Sequence, residues 1–234
     1  MSSMNIEDLE ITVTRKKIKN MYLRVLPPDG SISISAPHLA SEKAIRQFVQ
    51  RKLPWIREKQ QQVRSRKRTE PYQLINGETH YIWGRAYRLL IVEKGKCYKI
   101  ELAADEIIFQ VRIGSTVEQR KAHYLAWCRE QLEIKAAELS AQWMQTMEVE
   151  AREIRTKNMK TKWGTCNCRE RRIWLNLQLV RWPESCLNYI LVHELAHLIE
   201  RGHNKRFYAL LDHYLPEWRV QRNILKSADC SQLI

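Results

Sequence analysis

The five residues His193-Glu194-Leu195-Ala196-His197 carry the clearest chemistry in this 234-residue sequence. Side chains four residues apart lie on one face of an α-helix, so both imidazoles can reach a single metal ion. Glu194 lies beside them, where its carboxylate can reach a water on the metal instead of the metal itself. The H-E-x-x-H spacing therefore predicts a zinc site on a helix, with Glu194 as the proton-transfer group.

A catalytic zinc site needs a third protein ligand, because such sites keep three ligands and one open position. His203 lies six residues after His197. Gly202 is expected to adopt the left-handed conformation that ends a helix and turns the chain back towards the metal. Glu217 is the alternative third ligand. Glu200 is a candidate for a supporting position near the ligands, with solvation of the helix end as the alternative. Asp212 and His213 could orient a ligand, but a surface or interhelical polar contact is the favoured interpretation for both.

Metal-assisted hydrolysis is the reaction class that these side chains predict. Bound zinc lowers the pKa of a coordinated water from about 16 to around 7 and polarises a carbonyl or phosphoryl oxygen. Glu194 would accept the proton of that water and pass it to the leaving group. The motif does not choose between a peptide and a nucleotide substrate.

The charge balance favours anionic partners. The chain has 40 Lys and Arg residues against 26 Asp and Glu residues, a formal net charge of +14. By count, residues 1–70 carry 15 basic and 7 acidic groups (+8), residues 71–148 carry 10 and 10, and residues 149–234 carry 15 and 9 (+6). Such a field attracts nucleotides, or nucleic acid through the basic N-terminal third, although it also serves solubility.

Composition excludes several protein classes. A hydrophobic content of 44% and a charged content of 28% are typical of a globular protein and not of a disordered chain. No apolar run approaches the roughly 18 residues that cross a bilayer, and the polar first residues lack a secretory signal. We therefore expect a cytoplasmic protein with no transmembrane segment and with reduced cysteines. The sequence leaves the oligomeric state open.

Alternating apolar residues predict a β-rich N-terminal part that is interrupted by one helix. Strands are expected between residues 8 and 36, with a hairpin turn at Pro27-Pro28-Asp29-Gly30, and again between residues 79 and 113. The intervening helix begins after Ser41 and runs towards residue 66, and Pro54 is expected to kink or divide it.

The C-terminal part is predicted to be mainly helical. Four helices are expected from apolar periodicity, over 117–147, 183–201, 204–214 and from 217 onwards. We expect an α+β fold in which a β-rich unit, residues 1–112, packs on a mainly helical catalytic domain, residues 113–234. A basic run at Arg64–Arg68 is expected to be an exposed linker, with binding of nucleic acid as the alternative.

Several segments together resemble the YgjP-like metal-dependent hydrolases, which are zincin-like proteins related to the SprT-like proteases. The segments that carry the resemblance are Lys162-Trp163-Gly164-Thr165-Cys166, Asn176, His193–His197 and His203-Asn204-Lys205-Arg206-Phe207. The resemblance implies a zincin-like core that follows a β unit. It also implies Glu194 as the catalytic acid and base, and three zinc ligands: His193, His197 and His203.

The metzincins share this histidine spacing, but the sequence departs from their pattern. They carry Gly where this chain has Glu200, and they need a downstream Met turn. No Met follows Met159 here, so we do not assign the chain to the metzincins.

Four residues are candidates for binding the substrate: Lys162, Trp163, Gly164 and Arg206. Trp163 and Gly164 would form an extended edge on which a peptide pairs as a strand. Packing beneath the active-site helix is the alternative for Trp163. Cys166 and Cys168 make only a weak case for a second metal site.

A zinc-dependent metallopeptidase or general hydrolase is the leading interpretation, because of the complete H-E-x-x-H segment with His203 and because of the resemblance. A metal-dependent nucleoside triphosphate pyrophosphatase, which would release a nucleoside monophosphate and diphosphate, is the alternative. Basic side chains that converge on the metal would favour it: Lys160, Lys162, Arg169, Arg171, Arg172 and Arg206. A nucleic-acid-binding protein with a structural zinc is the third interpretation, although a structural site would not need Glu194.

Overall fold

The computed structural model describes residues 2–26, 29–64 and 72–227. The chain divides into two compact units, Met1–Thr69 and Glu70–Ile234. The predicted turn at Pro27-Pro28 lies outside the described residues, and so does the predicted linker Arg64–Arg68 apart from the backbone of Arg64.

The first unit is a four-stranded sheet with one helix against it. Its elements are β1 (Ser2–Ile6), β2 (Leu9–Lys16), β3 (Tyr22–Leu26), β4 (Ser31–Pro37) and α1 (Glu42–Arg64). The strand order is β1-β2-β4-β3, with β2 parallel to β4 and with β3 antiparallel to β4, as expected for a hairpin. Alternate side chains of a strand point to one face. That face packs on α1 in a buried cluster that includes Ile11, Val13, Ile32, Ile34, Ile45, Val49 and Ile56.

Helix α1 begins as the sequence predicts but does not divide at Pro54. The hydroxyl of Ser41 accepts a hydrogen bond from the backbone N–H of Ala44 (3.2 Å), as in an N-cap. The helix then continues through Pro54 to Arg64. Pro54 is exposed, so the carbonyl that it leaves without an intrahelical donor lies on the solvent side, where water can satisfy it.

The second unit contains two small sheets, and four α-helices within its described residues. Its strands are β5 (Thr79–Ile82), β6 (Arg85–Glu93), β7 (Lys99–Leu102), β8 (Glu106–Val111), β9 (Glu153–Lys157), β10 (Gly164–Asn167) and β11 (Arg172–Asn176). Its helices are α2 (Val117–Thr146), α3 (Glu184–Ile199), α4 (Lys205–Tyr214) and α5 (Trp218–Ser227), with a 3-10 helix at Leu177–Arg181. The sheets are ordered β5-β6-β8-β7 and β10-β11-β9.

The boundary that the sequence analysis placed at residue 112 differs from this division. Strands β5–β8 belong to the second unit, because their buried residues Leu89 and Phe109 join the same apolar cluster as Leu132 of α2 and Leu191 of α3. A sheet with one apolar face must bury that face against another element, and here the cover is helical. The second unit therefore contains these strands as well as the helices of the predicted catalytic domain. The fold class is α+β, as predicted.

Two further observations concern the helices and the cysteines of the described residues. No helix within the described ranges is both long and apolar enough to cross a membrane. The described cysteines are free thiols: Cys97, Cys128, Cys166, Cys168 and Cys186.

Candidate metal centre

Helix α3 carries the H-E-x-x-H segment through the apolar core of the second unit. Leu187, Leu191 and Leu195 are fully buried on this helix, as their apolar run predicts. Their burial fixes the rotation of the helix, because these side chains share one face of it. Strand β10 packs against Glu194 and helix α4 against His197, so both neighbours border the polar side of α3.

Three histidines converge beside this helix. The rings of His193, His197 and His203 each offer one nitrogen to a common region, and these nitrogens lie within 4.8 Å of one another. The Nε2 atoms of His193 and His203 are 3.0 Å apart. Within residues 2–26, 29–64 and 72–227, this is the one group of three or more side chains arranged to ligate a metal.

Ring packing and a backbone carbonyl orient the imidazoles. The buried ring of Phe207 on α4 stacks on His197, with centroids 4.6 Å apart and 29° between the planes. The same ring meets His193 and His203 edge-on. Nδ1 of His197 lies 3.2 Å from the backbone carbonyl of Glu200. A proton on Nδ1 would donate to that carbonyl and leave the Nε2 lone pair free for a ligand.

Burial favours the neutral form of the His193 and His197 imidazoles. Desolvation, together with the nearby His197 and His203 rings, lowers the pKa of His193 to about 3. Burial likewise lowers the pKa of His197. A neutral imidazole has a free lone pair, which is the protonation state that metal ligation requires.

The cluster fits a zinc ion. Nitrogen ligands at about 2.0–2.1 Å from a tetrahedral zinc are roughly 3.3 Å from one another, and the two Nε2 atoms are 3.0 Å apart. The buried Nδ1 of His193 has no hydrogen-bond partner among the described residues, so ring packing alone orients this imidazole and a metal bond at Nε2 would fix it further. Three imidazoles are the donor set of a catalytic zinc site with one open position.

The side chain of Glu194, on α3, is enclosed by the start of β10. The residue is 5% exposed, and burial raises the pKa of its carboxyl to about 8 against the opposing effect of the Lys162 ammonium. A Cβ atom at Gly164 would lie 2.6 Å from Oε1 of Glu194 and 2.8 Å from Cγ2 of Ile190. Glycine is therefore required at position 164 for the strand to approach the helix this closely.

Asn176, at the end of β11, fixes the segment that leads into β10. Its Nδ2 donates hydrogen bonds to the carbonyls of Met159 and Lys162, both at 2.8 Å. Its Oδ1 accepts from the N–H groups of Met159 (3.2 Å) and Gln178 (3.1 Å). Asn176 is fully buried, so water does not compete for these bonds. They hold the backbone that carries Lys162 to its place near Glu194.

The predicted substrate-binding residues occupy different environments. Gly164 adjoins Glu194, and the exposed Lys162 lies near the same carboxyl. Arg206 is exposed on the first turn of α4. Its side chain forms no hydrogen bond or ion pair within the part of the chain that the structure describes.

Trp163 takes a packing position. Its Nε1 donates to the backbone carbonyl of Leu225 on α5 at 3.2 Å. Its ring meets Trp182 edge-on, with centroids 6.2 Å apart. These contacts tie β10 to α5 and leave the indole half-buried.

The turn that brings His203 back differs from the prediction. Helix α3 ends at Ile199, and Glu200 caps it with extended backbone at φ −133° and ψ 113°. Gly202 does not have a positive φ. The turn is stabilised by Glu200, whose Oε1 accepts a hydrogen bond from the Gly202 N–H at 3.3 Å.

The other ligand candidates make contacts away from the three imidazoles. Glu217 is not part of the metal-ligating group. Asp212 accepts a hydrogen bond from Nε1 of Trp218 (2.9 Å) and pairs with Arg219, so it joins α4 to α5. The ring of His213 lies against Tyr214.

Two interactions with the histidine segment, one a hydrogen bond and the other electrostatic, were not predicted from the sequence. The thiol of Cys168 donates to the carbonyl of His197 at 3.2 Å, and neither Cys168 nor Cys166 belongs to the metal-ligating group. Arg222 on α5 lies over the Trp218 ring, and its charge adds to the lowering of the His193 pKa. No local pattern reveals these contacts, because their partners are about 30 residues away in the sequence.

Comparison with protein families finds one match that covers most of the chain. Residues 19–228 match the family described as YgjP-like, metallopeptidase domain. A segment of 36 residues, 15% of this chain, is 56% identical to the UTP pyrophosphatase of Escherichia coli (strain K12). That segment spans 22% of the length of the relative.

Two solved structures are similar over about two fifths of the chain. The metallopeptidase zymogen of Pyrococcus abyssi abylysin is 17% identical with a TM-score of 0.38, and the match covers 42% of this chain and 99% of that one. The metallopeptidase zymogen of Methanocaldococcus jannaschii jannalysin is 24% identical with a TM-score of 0.35, and the match covers 40% and 97%.

The close approach at Gly164 predicts a large difference between two Gly→Ala variants. Gly164→Ala should lower the free energy of unfolding by about 1–3 kcal/mol, because the methyl group overpacks the contact with Glu194. Gly202→Ala is the matched control, since a Cβ atom there meets nothing within 4 Å, and it should change stability by less than about 1 kcal/mol. Urea titrations of the metal-free proteins measure both. Equal effects of the two substitutions would contradict the steric role of Gly164.

Proposed function

We propose that this chain, which belongs to the YgjP-like metallopeptidase family, is a zinc-dependent hydrolase. We assign His193, His197 and His203 as the zinc ligands and Glu194 as the general acid and base. The observation that carries the proposal is the convergence of three ring nitrogens within 4.8 Å beside a buried carboxyl group.

The side chains around the centre have different roles in hydrolysis. A bound zinc ion supplies a Lewis acid for the electrophile and an acidified water for the attack. Glu194 takes a proton from the attacking water and delivers it to the leaving group. Phe207 and the Glu200 carbonyl keep the imidazoles in their orientations, so the centre needs little rearrangement during the reaction.

The environment of Glu194 suits proton transfer near neutral pH. Burial raises the pKa of this carboxyl to about 8, and the Lys162 ammonium opposes that rise. A general base works best when its pKa lies near the working pH. A dication at the imidazoles would favour the carboxylate further, so Glu194 would be available as a base when the centre is loaded.

Peptide hydrolysis is the activity that the fold of the centre supports best. Strand β10 is an edge of its three-stranded sheet and begins at Gly164, in contact with Glu194. An extended peptide could add to such an edge through main-chain hydrogen bonds, which would bring its scissile carbonyl to the metal. The family match is consistent with this activity.

Hydrolysis of a nucleoside triphosphate is the second candidate. Two cations favour it, because Lys162 acts on the Glu194 carboxyl and Arg222 on the His193 ring. Such groups can bind and neutralise a polyphosphate. The 36-residue similarity to a UTP pyrophosphatase adds support of the same kind.

The ligand assignment predicts that His203→Ala loses zinc. Structural zinc sites bind with about 10–16 kcal/mol, so one ligand of three or four contributes about 3 kcal/mol or more, equivalent to at least a hundredfold in affinity. Competition with a fluorescent chelator measures the change. His213→Ala is the control, since that ring packs on Tyr214, and it should bind zinc as the parent does. Full zinc affinity in His203→Ala would reject the ligand set.

The proton-transfer role predicts that Glu194→Gln keeps zinc but loses turnover. The amide preserves size and hydrogen bonding but cannot accept a proton, so kcat should fall by about 10²–10⁴-fold. Zinc content and single-turnover rates are measured on one preparation. Substrate affinity should stay close to the parent value, because the lost interaction belongs to the transition state. An unchanged rate at full zinc occupancy would disprove the assignment.

The two substrate classes predict different outcomes for Lys162→Met. If a triphosphate is the substrate, loss of this cation removes a charge-assisted contact of about 1.5–3 kcal/mol and raises KM by roughly 10- to 100-fold. If a neutral peptide is the substrate, as we propose, KM should change by less than about threefold. Lys96→Met, at an exposed position, controls for net charge. The zinc-loaded proteins are assayed against a peptide library and the four nucleoside triphosphates side by side.

A further inference from the structure

The first unit has a sheet face that takes no part in the proposed hydrolytic centre. Opposite the face that packs on α1, the register of β2, β4 and β3 aligns side chains in two rows. We call the six residues of these rows the hydroxyl face: Thr14, Ser35 and Tyr22 in one row, and Thr12, Ser33 and Arg24 in the other. Four of the six side chains are hydroxyls of Ser or Thr, so the middle of this face is flat and polar.

The edge strand β3 supplies the larger side chains of the hydroxyl face. Tyr22 is 53% exposed, although it is an aromatic residue. Arg24 is exposed two residues further along the same face. The face therefore offers an accessible ring and a guanidinium next to rows of small hydrogen-bonding groups.

Three lysines extend the hydroxyl face at the Tyr22 end. Lys16 follows Thr14 on the same side of β2, and Lys17 and Lys19 lie in the connection to β3. None of these lysines, nor Arg24, forms an ion pair or a side-chain hydrogen bond with another residue in the described ranges. Their charges are consequently available to a partner.

The acidic residues of the first unit lie mainly at the other end of the sheet. Glu7 and Asp8 occupy the turn between β1 and β2, where they pair with Arg57 at 3.1 and 3.5 Å. Asp29 lies in the turn between β3 and β4, and its side chain accepts a hydrogen bond from Ser31. This separation gives the sheet a positive end, which would attract an anion.

We propose that the hydroxyl face and its three lysines bind a single-stranded nucleic acid. The lysines and Arg24 match backbone phosphates, and Ser and Thr hydroxyls can donate to phosphate or sugar oxygens. The exposed ring of Tyr22 provides a platform on which an unpaired base stacks. A duplex hides its base faces from such a ring. A membrane surface requires apolar side chains that insert, whereas the centre of this face is polar.

Fluorescence anisotropy with the full-length protein tests the proposal. The probes are a labelled 20-nucleotide oligo(U), the oligo(dT) of equal length and a duplex control, each titrated from 50 to 300 mM salt. Lys16→Gln/Arg24→Gln removes two cations from the face and should reduce the slope of log affinity against log salt by about 1.4. The control is Lys43→Gln/Arg51→Gln, which removes the same charge from exposed positions on α1. It should leave both affinity and slope close to the parent values.

Two variants of Tyr22 test the proposed stacking contact with a base. Tyr22→Leu should weaken binding by about 5- to 150-fold, the range expected for loss of one stacked base, whereas Tyr22→Phe should bind as the parent does. Circular dichroism and urea titration of each variant confirm that the unit still folds. If the two charge variants lose the same amount of affinity, binding depends on net charge alone and the proposal is wrong. Tighter binding to the duplex, or to phosphatidylserine vesicles through the same residues, would assign the face to another partner.

Discussion

The burial of ionisable side chains beside α3 is the constraint on which the candidate centre depends. A carboxyl group and two imidazoles are buried there. Desolvation raises the pKa of Glu194 and lowers the pKa of His193, so that both side chains favour their neutral forms. Such burial costs free energy unless a partner or a metal ion compensates it. The apolar residues of α3 stabilise the helix in the core, and Gly164 lets a strand close over the carboxyl. The apolar face of α3 therefore fixes the helix in the core and so positions the ionisable side chains on its polar side.

The sequence predicts the parts of this protein that depend on local patterns. The spacing of His193 and His197 on one helix face, the apolar run before them and the extent of α2 all follow from helical periodicity. The N-cap at Ser41 follows from side-chain chemistry alone. Gly164 was predicted as part of a substrate-binding edge within a family segment, but its steric role was not predicted, because that role depends on Glu194, 30 residues further along the chain.

The parts that the sequence did not predict depend on contacts between distant segments. Strands β5–β8 read as a continuation of the N-terminal β unit, since both are short and alternating, yet their apolar face packs with α2 and α3. The fourfold hydrogen bonding of Asn176 is likewise invisible in sequence, because its partners include the carbonyls of Met159 and Lys162. The turn after α3 was predicted from the glycine at 202, whereas Glu200 stabilises it through its side chain.

The proposed metal ligands lie close together in the sequence, whereas the residues that surround Glu194 come from distant segments. His193 and His203 are ten residues apart, so closing the loop between them costs little entropy even in a partly folded chain. Gly164 and Asn176, which shape the surroundings of Glu194, must be brought in from β10 and β11. The proposed metal ligands are therefore supplied by one local helix–turn segment, whereas the surroundings of Glu194 require the complete second unit.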